Sequence, residues 1–193
     1  MAVYGHSVSG WTPIAHADGA TALVDGSYHA LRTTAASTMR LIEVYIGGEA
    51  TTGTVNRMAI RRLSTNGATP TNQTPGANNT LSGAAVSQGY RGATTGPTIA
   101  STAHLATPAF NAFGGIVRLV APQGGEIYAT ASTAPNGELV LDSISGVGVV
   151  STHIAFEEMA HDLEQESWQE GGAWCERAGP AQSMMAMGAG LSI

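Results

Sequence analysis

Residues Gly115–Glu158 read GIVRLVAPQGGEIYATASTAPNGELVLDSISGVGVVSTHIAFEE, and this stretch decides the fold class. Ile116-Val117-Arg118-Leu119-Val120 is a short apolar run that Ala121-Pro122-Gln123-Gly124-Gly125 breaks. Glu126 to Ala131 alternates, with Ile127, Ala129 and Ala131 on one face and Glu126, Tyr128 and Thr130 on the other. Pro135-Asn136-Gly137 is the strongest turn signal, because Asn-Gly tolerates the positive φ of tight hairpins. Glu138 to Asp142 and Val149 to Phe156 follow as further apolar runs, separated by Ser145, Gly146 and Gly148. Turn signals recurring every ~11 residues predict consecutive antiparallel strands of a sandwich or barrel. The expected class is all-β: an antiparallel β-sandwich or jelly-roll-like barrel, with the strands of this stretch as a meander.

Upstream, Met39 to Ile46 predicts a strand with Ile42, Val44 and Ile46 on one face and Met39, Leu41, Glu43 and Tyr45 on the other. Thr54 to Leu63 returns after the turn Gly47 to Gly53, which predicts a hairpin. That pairing brings Arg57, Arg61 or Arg62 near Glu43 or Glu49. Residues 1–37 are small and turn-rich, with weak strands at Thr21–Val24 and Tyr28–Leu31. Residues 64–82 are polar and read as one long loop.

Charge divides the chain. Charged residues are 11% of 193, against about 25% in an ordinary soluble domain, and all eight basic residues are arginine. Seven acids (Asp18, Asp25, Glu43, Glu49, Glu126, Glu138, Asp142) balance seven arginines through Phe156. From Glu157 onward, seven acids face the single Arg177, so the whole net charge of −6 lies in that segment. Two regions are therefore expected: a β-sandwich body at 1–156 and an acidic, Met-rich C-terminal arm at 157–193, irregular or partly helical. The sparsely charged, lysine-free surface fits either a GC-rich coding bias or coverage by neighbouring subunits, and the arm fits either docking on a partner or folding back onto its own sheet. A neutral body argues against a nucleic-acid groove. No 18-residue apolar run or signal-peptide pattern is present, so no membrane partner is expected. Cys175 is the only cysteine, which excludes an intrachain disulfide and a thiolate metal site.

Motifs for chemistry fail one by one. Gly5-His6-Ser7-Val8-Ser9 has serine where a nucleophile elbow needs glycine. His153, Glu157 and His161 are spaced four apart, but His153 falls in an alternating run, where that spacing spreads ligands ~13 Å. Asp18-Gly19 and Asp25-Gly26 lack the alternating oxygen ligands of a calcium loop. Glu126 with Glu138 or Asp142 is the one carboxylate pair open to glycoside chemistry, and all three lie at strand ends. The expectation is a protein that is not an enzyme, with no catalytic residues, cofactor or metal.

Arg40 to Gly48 with the return strand Arg57 to Arg62, Arg118 to Pro122 with Gly125-Glu126-Ile127, and His153 to Glu158 resemble small head proteins of tailed bacteriophages. The resemblance covers about residues 38–63 and 110–158. It implies a structural virion protein: a capsid decoration or cement subunit, a homotrimer bound to the major capsid protein on the outer surface of the shell and assembled in the host cytoplasm. The alternative is a head-fibre, tail or receptor-binding virion component of the same fold; solvent-exposed aromatics lining a groove would favour it, but Trp11, Trp168 and Trp174 are the only tryptophans and none lies in the strands predicted above. Deleting 157–193 is expected to weaken particle binding without unfolding the body.

Overall fold

Apolar residues at alternate positions pair across two antiparallel sheets, as the computed structural model of the chain describes for residues 2–24, 26–34, 37–65, 67–69, 71–91, 95–100, 103–129, 138–146 and 148–160. The strands are β1 (Ala2–Trp11), β2 (Tyr28–Arg32), β3 (Ser37–Glu49), β4 (Val55–Thr65), β5 (Thr71–Gln73), β6 (Gly76–Ala77), β7 (Gln88–Arg91), β8 (Thr98–Ile99), β9 (Ala109–Asn111), β10 (Phe113–Val120), β11 (Tyr128–Ala129), β12 (Leu139–Ser145) and β13 (Val150–Ala160). The first sheet runs β10-β3-β13-β1-β6, with β11 also on β3. The second runs β5-β7-β2-β12-β4-β8, with β9 also on β4. The expected all-β sandwich class is what the described residues form.

Met39, Leu41, Val44, Ile46, Ile154 and Phe156 of the first sheet bury their side chains against Leu31, Met58, Ile60, Leu139 and Leu141 of the second. Each such side chain contributes about 1.5–3 kcal/mol when fully buried. The second sheet is covered on its other face as well: Tyr28, Ala30, Leu63 and Val140 pack with Leu23, Tyr90 and Ile99. The cover is a strap, residues 12–24, tied down by Ile14 N–H to Gly26 O, His16 N–H to Ser143 O and Leu23 N–H to Pro97 O. Short β5 and β6 close one side of the sandwich, one in each sheet, and β9 and β10 do the same on the other.

Several expectations need correction. β10 to β13 form near the predicted positions, but not as a meander. β10 and β11 pair with β3, β12 inserts between β2 and β4, and β13 inserts between β3 and β1. The turn Pro135-Asn136-Gly137 lies outside the described residues. β3 and β4 are not a hairpin either. Both edges of β3 are taken by β13 and β10, so the chain crosses to the second sheet through residues 50–54. Arg61 therefore reaches Asp18 and Asp142, while Glu43 pairs with Arg118. The face assignment in β3 fails because of a bulge: Ala155 pairs with Glu43 but Phe156 with Leu41, so Ile42 is extra. One extra residue reverses the alternation, which puts Met39 and Leu41 on the same side as Val44 and Ile46.

The turn-rich N-terminus contains a ten-residue strand, β1, whose inward residues include His6 and end at buried Trp11. Thr21–Val24 supplies only a bridge at Ala22. The polar stretch 64–82 contains β5 and β6. Glu157 and Glu158 belong to β13, not to an arm. Glu157 pairs with Arg40 at 2.6 Å, and Glu158 accepts the N–H groups of Val86 and Ser87. The first compact unit accordingly spans Met1–His161. The arm beyond it, with Trp168 and Trp174, lies outside the described residues, and a truncation meant to leave the body whole must start after His161.

A candidate docking face and two buried polar clusters

Antiparallel register carries four side chains into one row on the open face of the first sheet. Arg118 on β10 stands opposite Tyr45 on β3, Tyr45 opposite His153 on β13, and His153 opposite Ser7 on β1. The Arg118 guanidinium lies 5.4 Å from the centroid of the Tyr45 ring, and Tyr45 and His153 ring centroids are 6.1 Å apart. Ser7 Oγ and His153 Nδ1 are 2.7 Å apart. Gly5 lies beside this row, and a Cβ there would meet His153 Cε1 at 2.6 Å, so the imidazole would have to shift. Among the described residues no carboxylate bonds His153 to orient it, and Ser7 sits mid-strand where its neighbours' N–H groups serve the ladder.

Beside the row lies the edge of the sheet. Ala121 N–H reaches Ile42 O at 3.1 Å. Alternation along an antiparallel ladder then turns the backbone groups of Val117 and Leu119 toward β3 and those of Ile116, Arg118 and Val120 away from it. Among the described residues no strand pairs with that side of β10. The same edge exposes apolar side chains: Phe113 62%, Ile116 77%, Val120 50% and, on β11, Tyr128 38%. Natural edges are blunted by lysine, proline or inward charge. Here proline comes only after the strand, at Pro122, and Arg118 is held by Glu43 through Nε at 2.9 Å and Nη2 at 2.6 Å. Where β10 leaves β3 and β11 rejoins it, a cleft of about 310 Å³ opens, lined by Arg40, Leu41, Ile42, Val120, Ala121, Gln123 and Glu126. Backbone N–H groups at Glu126 and Gly124 hold the Glu126 carboxyl below the usual range.

The second cluster lies under the strap. Arg61, on β4, is fully buried. It donates from Nη2 to Asp18 Oδ1 at 2.9 Å and from Nη1 to Asp18 O at 3.0 Å, and its Nε stands 3.4 Å from Asp142 Oδ1. His16 Nε2 is 3.2 Å from Asp142 Oδ2, and His104 Nε2 is 2.7 Å from Asp18 Oδ1. Burial pushes the Asp142 carboxyl up to about 7 against the pull of Arg61. Burial, then Arg61, lowers His16. The group pins the strap to the sheet.

A third cluster lies between the sheets. His6 Nδ1 and His29 Nε2 are 2.6 Å apart, His29 Nδ1 is 2.9 Å from Thr152 Oγ1, and His6 Nε2 is 3.0 Å from Gln73 Oε1. Burial lowers both rings, His29 strongly.

The carboxylates weighed for glycoside chemistry do not converge. Glu126 lines the edge cleft of the first sheet, Glu138 is buried against Tyr90 Oη at 2.7 Å, and Asp142 is held by Arg61. Burial raises the Glu138 carboxyl, and burial followed by Glu138 raises the Tyr90 hydroxyl. His153 and Glu157 share the open face of β13, but Glu157 is engaged by Arg40, and His161 lies outside the described residues. Among the described residues no cluster of three or more His, Cys, Asp or Glu side chains is arranged to hold a metal. Asp18 is a ligand of Arg61 and Asp25 lies outside the described residues. Among the described residues, no helix is long and apolar enough to cross a membrane. Sequence reading missed the His6–His29 pair and the free edge. Both depend on which strands become neighbours, and no local pattern carries that. No family model, curated protein or solved structure matches the chain.

Proposed function

We propose that this chain is a structural virion subunit of a tailed bacteriophage, a decoration or cement protein that binds the assembled capsid. The observation that carries the reading is the β10–β11 edge, unpaired on its outer side among the described residues and lined by exposed Phe113, Ile116, Val120 and Tyr128. An edge of this kind binds by adding a strand: backbone groups supply hydrogen bonds and alternate side chains supply specificity. Binding assembled shell and not free subunits stabilises the shell by RT ln(1 + [L]/Kd) per site. A homotrimer presents three such edges to a three-fold position. The row Arg118-Tyr45-His153 favours a second reading, a receptor-binding virion component, because an aromatic ring flanked by donors on an open face suits a sugar.

The test uses particles of the encoding phage stripped of this protein, with rebinding of the purified full-length chain measured by sedimentation. The double variant Ile116→Lys/Val120→Lys is expected to keep its fold, since both side chains are half-exposed or more, and to lose at least tenfold in occupancy. Undiminished rebinding of the variant refutes the edge as the docking surface. No rebinding of the wild-type chain, with retention on a glycan array instead, moves the protein to the second reading. Truncation after His161 tests the acidic arm separately, and light scattering tests the trimer.

A further inference from the structure

With the Gln73 carboxamide oxygen turned toward His6 Nε2, one arrangement of protons leaves both rings of the buried polar chain neutral. Gln73 Oε1 can only accept, so His6 carries its proton on Nε2. His6 Nδ1 is then an acceptor, and His29 must donate to it from Nε2 across 2.6 Å. His29 Nδ1 is left to accept from the Thr152 hydroxyl at 2.9 Å. Every ring nitrogen is satisfied while both imidazoles are neutral. A proton added to His6 Nδ1 meets the His29 Nε2–H whose bond it had accepted, one added to His29 Nδ1 reverses the bond with the Thr152 hydroxyl, and either places a cation where both rings are buried.

We propose that Thr152, His29, His6 and Gln73 form an acid-sensitive clasp that ties β1 and β13 of the first sheet to β2 and β5 of the second and releases this edge of the sandwich when either imidazole is protonated. The connection is direct, because the four residues sit on four strands of two sheets. His6 also lies flat on Gly89 of β7, where a Cβ would meet its ring at 2.4 Å, so β7 is held by the same ring. The edge beyond is thin: β5 has three residues, all exposed, and among the described residues it pairs only with β7. The charged or titratable groups that act on the pair are Arg91 on β7 and His153 on β13, and neither is a carboxylate that would stabilise an imidazolium. Burial works in the same direction on both rings. The sign follows: with the closed-state pKa depressed, the clasp holds above about pH 6.5 and weakens as pH falls toward the depressed values. Glu138, bonded to Tyr90 of β7, titrates with the opposite sign, since its raised pKa makes acidification favourable. It does not produce the effect.

Long-range ¹⁵N–¹H spectra of the imidazoles in the full-length chain test the arrangement. At pH 7.5 both His6 and His29 are expected neutral with the proton on Nε2. Hydrogen exchange tests the release. Protection factors of β5 and β7 amides are expected to fall by about thirtyfold between pH 7.5 and pH 5.0 for each imidazole that opening exposes, the factor for an ordinary pKa of 6.5. The double variant His6→Asn/His29→Gln removes both titrating rings and should lose that fall. A ring charged at pH 7.5, a proton on Nδ1 of either ring, or protection of β5 and β7 that does not change in the wild-type chain overturns the proposal. The spectra and exchange of the wild-type chain decide the matter even where the double variant fails to fold.

Discussion

Replacing Arg61 with methionine should destabilise the protein by an amount that depends on pH. Arg61 has no exposed surface and touches two carboxylates, Asp18 at 2.9 Å and Asp142 at 3.4 Å. Above pH 7 Asp142 is ionised, because its pKa stands at about 7. Removing Arg61 then leaves a buried carboxylate without its cation, a change that costs about 3–5 kcal/mol. The mutant escapes by protonating Asp142. That escape is free at pH 5.5, where the wild-type carboxyl is already neutral, and costs about 1.4 kcal/mol for each pH unit above 7. From pH 7 to pH 8.5 the difference is about 2 kcal/mol, so the loss at pH 5.5 shrinks to roughly 1–3 kcal/mol, the bonds to Asp18 and the packing. Urea denaturation of wild type and Arg61→Met at the two pH values measures both losses. The double variant Arg61→Met/Asp142→Leu should recover most of the alkaline loss, since an apolar pair replaces a buried ion pair at little net cost. Equal losses at pH 5.5 and 8.5, or no recovery in the double variant, would show that Asp142 does not hold its charge against Arg61.

Two stability predictions concern packing. Phe156→Ala empties a fully buried aromatic site between the sheets and should cost about 3–5 kcal/mol in urea unfolding at neutral pH, with the m value unchanged. Gly48→Ala puts a Cβ 2.3 Å from the backbone oxygen of Ala112, where backbone and not a flexible side chain must give. It should lower the melting temperature by several degrees, whereas Gly47→Ala, with nothing within 4 Å, should change stability by no more than about 0.5 kcal/mol.

Strand existence was legible where apolar periodicity is local. β3, β4, β10, β12 and β13 lie close to the runs that predict them, because each turns apolar side chains at least partly into a core. Pairing was not legible. β12 joins β2 and β4 across long sequence separations, and nothing in Leu139 to Ser145 names those neighbours. β1 escaped reading because its inward positions include His6 and most of its outward ones are Gly and Ser. A buried histidine looks polar in sequence until a partner such as His29 satisfies it. The bulge at Ile42 is hidden for a related reason: Ile42 and Glu43 read as an unbroken alternation, and only the register against Phe156 shows the extra residue. The charge pairing followed topology. Once β4 left the first sheet, Arg61 exchanged the expected Glu43 or Glu49 for Asp18 and Asp142.

The two sheets are finished differently, and the difference bears on where the proposed partner would bind. The second sheet has a core on both faces, and its buried charges are answered by a strap with its own backbone hydrogen bonds. Among the described residues, the first sheet has a core on one face only. Its other face carries small residues, Gly5, Ser7, Gly47, Ser151 and Ala155, around the Tyr45 row, and its β10 edge alternates with apolar side chains outward. Water alone would favour the opposite pattern on β10, because exposed Ile116 and Val120 gain nothing from solvent while Val117 and Leu119 inside are only partly buried. Arg118 does not defend the edge, since Glu43 neutralises it in place. A neighbour that adds a strand here satisfies the outward backbone of Ile116, Arg118 and Val120 and covers their side chains in one step. The small residues beside it let that neighbour lie close to the sheet, which ties the docking reading to this face and not to the strapped one.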